Sequence, residues 1–111
     1  MKVAIAQINT RVGDLKNNSA KILEYIQKAR QSGADLVVFP ELTICGYPPE
    51  DLVEKKAFVK KNVDTLNSLV PYTAGIGVLC GFAQPNESTE GHPVFNAAAL
   101  IDDGKITGIQ H

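Results

Sequence analysis

Apolar residues recur along this chain with two different periods, and the switching between them predicts alternating strands and helices. The run Val3 to Ile8 reads as a first strand. From Leu15 to Gln31 the apolar positions Leu15, Ile22, Leu23, Ile26 and Ala29 fall at helical spacing, and Gly33 after Ser32 supplies a left-handed terminus. Asp35 to Phe39 reads as a second strand. A second helix is expected from about Leu52 to Val70, with Phe58, Val59, Val63, Leu66, Leu69 and Val70 on one side and Pro71 ending it. The third strand is Gly75 to Ala83, whose glycines leave room for neighbouring backbone, and the polar stretch Gln84 to Pro93 reads as a surface loop. Phe95 to Ile101 and Lys105 to Gln110 form a predicted hairpin, because Asp102-Asp103-Gly104 accepts the positive φ of a tight turn. This order favours an α/β layer architecture, with no internal repeat and no low-complexity tract.

The chemistry suggested by this pattern gathers after the second strand. Val37-Val38-Phe39-Pro40-Glu41-Leu42 delivers a carboxylate where a buried parallel strand should finish, which is where open α/β sheets build their sites. Stiffened by Pro40 and partly desolvated, Glu41 would carry a raised pKa suited to a general base. The competing reading is an ordinary solvated loop carboxylate. The following segment, Leu42 to Leu52, is too rich in Gly and Pro for a helix or central strand yet apolar enough to stay against the body, as a shaped pocket wall. Within it, Tyr47 sits beside Gly46 and two prolines, which hold its ring; it either binds a ligand or packs the loop. Cys45 follows Glu41 by four residues and is in principle a nucleophile with that carboxylate as base, or simply a structural thiol. Asn96 is expected to precede a strand and to satisfy backbone groups at its start.

Three spaced segments carry a resemblance. The Phe39-Pro40-Glu41 triplet, the opening Met1-Lys2-Val3-Ala4-Ile5-Ala6-Gln7-Ile8-Asn9 and the later Phe95-Asn96-Ala97-Ala98-Ala99-Leu100-Ile101 resemble the nitrilase superfamily of carbon-nitrogen hydrolases. Gly46-Tyr47-Pro48-Pro49-Glu50-Asp51-Leu52 looks most like its branch of glutaminase domains from glutamine-dependent NAD synthetases. The resemblance implies an α-β-β-α sandwich of two sheets with helices outside, of which this order of elements suits the first half. It implies Glu41 as the catalytic base and Tyr47 near the mouth of a glutamine pocket. The superfamily works through Glu, Lys and Cys, with the lysine soon after a strand like Lys105 to Gln110 and the cysteine well beyond it. Neither maps onto a position before His111, so residues 1–111 are expected to be the N-terminal portion of a single catalytic domain, inactive alone. The resemblance further implies oligomers, no cofactor in this domain, and ATP with magnesium in a separate synthetase domain.

Composition adds exclusions. The chain has 111 residues, 44% hydrophobic and 21% charged, which bounds it to one core at most. Eleven basic residues are matched by 12 acidic ones, a balance that argues against nucleic acid as a partner. Lys55-Lys56 and Lys60-Lys61 belong to a solvated helix face. No run is long enough to span a membrane, and the start turns polar too soon for a signal peptide, so a cytoplasmic location is expected. Cys45 and Cys80 are expected to be reduced thiols, Cys80 as a small buried strand residue. His92, in a loop composition, lacks the company a metal site needs. Three rival readings remain: another amidase of the nitrilase superfamily, a nucleotide-binding module, opposed by the single glycine in Asn9-Thr10-Arg11-Val12-Gly13-Asp14, and a non-catalytic interaction subunit that keeps the fold.

Overall fold

The computed structural model describes residues 1–11, 13–40, 43–44, 56–85 and 94–110, without the side chains of 56, 57, 85, 94 and 95. Its elements are β1 (Val3–Ile5), α1 (Leu15–Gln31), β2 (Leu36–Val38), α2 (Lys56–Leu69) with a short 3-10 turn (Val70–Tyr72), β3 (Gly77–Pro85), β4 (Val94–Asp102) and β5 (Lys105–Gln110). They form one five-stranded sheet in chain order. β1, β2 and β3 are parallel; β4 and β5 continue antiparallel. Two successive parallel connections that step the same way across a sheet, each right-handed, lay their helices on the same face. α1 and α2 accordingly touch each other and share one core.

That core comes from period against period. Ala4, Val37 and Val78 stand in register across β1, β2 and β3, and Val78, Cys80 and Phe82 follow at alternate positions, all packed in the cluster that takes Ile22, Ile26 and Ala29 of α1 and Leu66 and Leu69 of α2. Cys80 is fully buried, as expected of a small strand thiol. Lys60 and Lys61 are exposed, which agrees with a solvated helix face.

α1 occupies the span its apolar spacing predicts. Asp14 caps its start by accepting from the Asn17 backbone N–H at 3.3 Å and from Asn17 Nδ2 at 2.7 Å. Those bonds, the Asn17 side chain's first, hold the Asp14 carboxyl below its ordinary value of 3.8. At the other end Gly33 takes φ +80°, a left-handed conformation that costs a residue with a Cβ. Arg30 ties this helix to the turn before β3 by donating from Nε to the Ala74 carbonyl at 3.1 Å.

The β4–β5 hairpin forms as predicted, with Asp103 at φ 47° and Gly104 at φ 81° in its turn. Its tip is tied down, because Gly104 N–H donates to Thr73 Oγ1 at 2.9 Å and Gly75 N–H to Asp103 Oδ1 at 3.0 Å. Other boundaries differ from expectation. β1 ends at Ile5 rather than Ile8, because its partner β2 offers only three paired residues. β3 runs on to Pro85, past the expected Ala83, because β4 pairs with it to that point. α2 gives way at Leu69 to the 3-10 turn that contains Pro71. Asn96 corrects a reading: it lies inside β4, opposite Ala83, rather than ahead of the strand.

The opposite face of the sheet carries no helix among the described residues. Val3 and Ile5 of β1 and Leu100 of β4 are exposed there, Ile5 to 73%. Val38 and Leu79, across the register from Ile5, are half-buried. The chain therefore builds one α-on-β layer pair with apolar residues on both sheet faces.

Candidate functional site

The predicted site residues Glu41 and Tyr47 lie outside the described residues, as do Cys45, His92 and His111. What the structure describes is the ground on which Glu41 stands. β2 is the middle of three parallel strands, and its last residues are fixed by hydrogen bonds on both sides. Ala6 N–H donates to the Val38 carbonyl and Phe39 N–H to the Leu79 carbonyl, each at 2.9 Å. Phe39 is buried and packs into the core, so Pro40 leaves the sheet from a rigid base. Two residues beyond Glu41 the chain is anchored again: Thr43 Oγ1 donates to the Pro40 carbonyl, and Ile44 N–H donates to the Gly81 carbonyl at 3.3 Å. Thr43 and Ile44 are both fully buried. In the sequence, Glu41 and Leu42 lie between these two anchored segments.

Strand directions bring other polar groups to this end of the sheet. β2 and β3 finish here, antiparallel β4 begins here, and β5 finishes here. A cavity of about 270 Å³ opens beside Pro40, lined also by Leu79, Gly81, Asn96, Ala98 and Gln110. Leu79 and Gly81 alternate along β3 with the helix-side residues Val78, Cys80 and Phe82, so the cavity opens on the bare face. Asn96 and Gln110 contribute carboxamides, each able to donate and to accept. Sequence reading gave Asn96 only a backbone-capping role and passed over Gln110. Their place follows from strand pairing, which composition does not show.

A second contributor was also missed. Asn18 is the polar member of the four buried residues of α1, and only 1% of it is accessible. Its Nδ2 donates to the Arg11 carbonyl at 2.7 Å and to the Ile44 carbonyl at 3.0 Å, while its Oδ1 accepts from Arg11 N–H at 2.8 Å. The available signal was its position: Asn18 stands four residues before Ile22 and eight before Ile26, on the apolar stripe, where a polar residue needs a reason.

Other groups offer less. A groove of about 500 Å³ on the flank of α1 is lined by Arg11, Asn17, Lys21 and Glu24, but Lys21 Nζ is already engaged with the Asn9 carbonyl at 2.6 Å. Among the described residues no group of three or more His, Cys, Asp or Glu could hold a metal ion, and no helix is long and apolar enough to cross a membrane.

Comparison with known proteins gives this geometry a family. The carbon-nitrogen hydrolase family model matches residues 2–111. The glutamine-dependent NAD(+) synthetase of Thermotoga maritima is 39% identical over 111 residues, covering 98% of this chain and 18% of that protein. Among solved structures, a glutamine-dependent NAD(+) synthetase from Cytophaga hutchinsonii superposes with a TM-score of 0.89 at 23% identity, over 96% of this chain and 18% of that one. The glutamine-dependent NAD+ synthetase of Acinetobacter baumannii, in complex with ADP, gives 0.86 at 30% identity, over 97% and 20%. The chain spans about a fifth of the length of these relatives. A Phe-Pro-Glu triplet that follows β2 in the sequence, a mixed sheet with the fold of the solved structures and a match over all but the first residue lead to one assignment: this chain belongs to the carbon-nitrogen hydrolase family.

Proposed function

We propose that these 111 residues are the N-terminal portion of a single glutaminase domain, which releases ammonia from glutamine for NAD synthesis. The observation that carries this reading is the 39% identity with the Thermotoga maritima glutamine-dependent NAD(+) synthetase across nearly the whole chain. Two features of the molecule support it. The sheet has an apolar face suited to the second layer of a sandwich, and the cavity at the end of β2 is lined by the carboxamide residues Asn96 and Gln110 and by Pro40, which Glu41 follows in the sequence.

In the mechanism proposed, a cysteine of the complete protein attacks the glutamine carboxamide carbon, with Glu41 accepting the thiol proton. A lysine of the complete protein stabilises the oxyanion. Glu41 returns its proton to the departing nitrogen, ammonia leaves, and a thioester joins the glutamyl group to the cysteine. Water then attacks the thioester with Glu41 again as base, releasing glutamate. Pro40, which follows Val38 and Phe39 held by hydrogen bonds on the two sides of β2, sets the approach of Glu41, and Tyr47 borders the glutamine pocket. The ammonia passes to a separate domain that uses ATP and magnesium to amidate an adenylated nicotinate dinucleotide. The complete protein is a cytoplasmic homo-oligomer in this reading.

The test is a pair of assays on the complete protein. NAD formation should proceed with either glutamine or free ammonia as nitrogen donor, with glutamate produced in step with NAD in the first case. Hydrolysis of other amides in preference to glutamine, without NAD formation, would assign the domain to a different amidase.

A further inference from the structure

Asn18 spends its whole donor capacity on backbone. A carboxamide has two N–H donors and one carbonyl acceptor. The Asn18 donors go to the Arg11 and Ile44 carbonyls, and the oxygen accepts from Arg11 N–H. No donor is left for a substrate, so any contribution to chemistry must pass through the segments it joins. Those segments are the loop entering α1 and the Thr43–Ile44 turn, 26 residues away in sequence from Asn18 on the Ile44 side. Ile44 is held from the other direction by the Gly81 carbonyl of β3, so helix, sheet and turn meet at one residue.

We propose that Asn18 is a positioning residue for the amide-hydrolysing site, fixing the Thr43–Ile44 segment that closely follows Glu41 in the sequence. The role rests on the functional reading above. In the sequence Glu41 lies between Phe39, whose N–H is held by the Leu79 carbonyl, and Thr43–Ile44, held by Asn18 and Gly81, so loss of the Asn18 bonds loosens one of the two described segments that flank it. A misplacement of about 1 Å at a catalytic group costs on the order of a hundredfold in rate. Aspartate at this position has nearly the same shape but no donors when ionised, and would set a carboxylate against two carbonyl oxygens.

Asn62 provides an internal control. It is the equivalent strut on α2, fully buried, donating from Nδ2 to the Ala83 carbonyl at 2.5 Å and accepting from Ala83 N–H at 3.3 Å. It joins its helix to the sheet, whereas Asn18 joins its helix to the Thr43–Ile44 turn; its partner Ala83 lies two residues beyond Gly81, the β3 residue that holds Ile44.

The experiment compares Asn18→Ala, Asn18→Asp and Asn62→Ala in the complete protein, measuring Tm and the kcat and KM of glutamine hydrolysis at a temperature where near-ultraviolet circular dichroism shows each folded. All three should melt earlier than wild type. Asn18→Ala should lower kcat tenfold or more, with KM within about threefold, and Asn18→Asp should lower it further; Asn62→Ala should keep kcat within about twofold. The acid limb of the kcat/KM profile should move in the Asn18 variants alone, because only they change the setting of Glu41. Unchanged kcat in Asn18→Ala, or an equal loss in Asn62→Ala at matched Tm, overturns the proposal. If neither Asn18 variant folds, Asn18→Ser takes their place, and its failure to fold leaves Asn18 a structural residue only. A wild-type protein that hydrolyses no glutamine fails the functional reading itself, a result distinct from any change among the variants.

Discussion

Along β3, Val78, Cys80 and Phe82 are sealed beneath α1 and α2, whereas Leu79 between them is half-open, and Leu100 beside it and Ile5 two strands away are exposed. Both faces are apolar, yet one is finished and the other is not. The difference follows from topology: sequential parallel connections of one hand place α1 and α2 on one side, so the described residues cover a single face however good their packing. An antiparallel sheet tolerates a wet face when that face is polar. Here Val3, Ile5 and Leu100 make it apolar, and contiguous exposed apolar surface marks an interface. The bare face is also where the cavity beside Pro40 opens, so the surface that calls for a second layer is the one that carries the candidate site.

The largest expected effect concerns the chain by itself. Expressed as residues 1–111, it should self-associate or bind a reporter dye of exposed apolar surface, since among the described residues nothing covers Ile5 and Leu100. A monodisperse monomer with a cooperative melt, by light scattering and calorimetry, would break the comparison between the faces. Core truncation comes next. In the complete protein Ile26→Ala, on the sealed side, should cost about 2–5 kcal/mol in denaturant unfolding. Ile5→Ser should divide the two states of the chain: it should reduce association of residues 1–111 while destabilising the complete protein, where a second layer covers it. Destabilisation in neither setting would mean that the bare face stays bare.

Smaller effects test the elements that hold the sealed face. Gly33→Ala meets no steric contact but must keep φ near +80°, a cost of about 1 kcal/mol. Asp14→Ala should have the smallest effect, and one confined to alkaline of its titration. Its folded pKa is lowered by the Asn17 side chain, so its contribution is present above the unfolded carboxyl pKa and fades as pH falls through the folded value. Melting profiles of wild type and Asp14→Ala should therefore differ near neutral pH and converge well below pH 3.8.

What the sequence disclosed tracks how local each feature is. α1 was legible from end to end because its stripe and Gly33 lie within it or next to it; its Asp14 cap is equally local but was passed over. The β4–β5 turn was legible for the same reason, through Asp103-Gly104. The limits of β1 and β3 were not, since a strand ends where its partner does, and that partner can be distant in sequence. The same applies to the site. Glu41 could be singled out from a strand-end motif, although it and Tyr47 fall outside the described residues. Asn96 and Gln110 reach the cavity through ladder register, and Asn18 through a bond to a residue 26 positions on. Only Asn18 left a trace, as a polar residue on an apolar stripe.

The central claim is that the strand-end carboxylate is the base of an amide-hydrolysing site. Glu41→Gln in the complete protein tests it most directly, because it keeps shape and hydrogen-bonding capacity while removing the base. Glutamine hydrolysis should fall by about a hundredfold or more, while NAD formation from free ammonia continues at the wild-type rate. Glutamine turnover near the wild-type rate, or loss of both activities together, would contradict it.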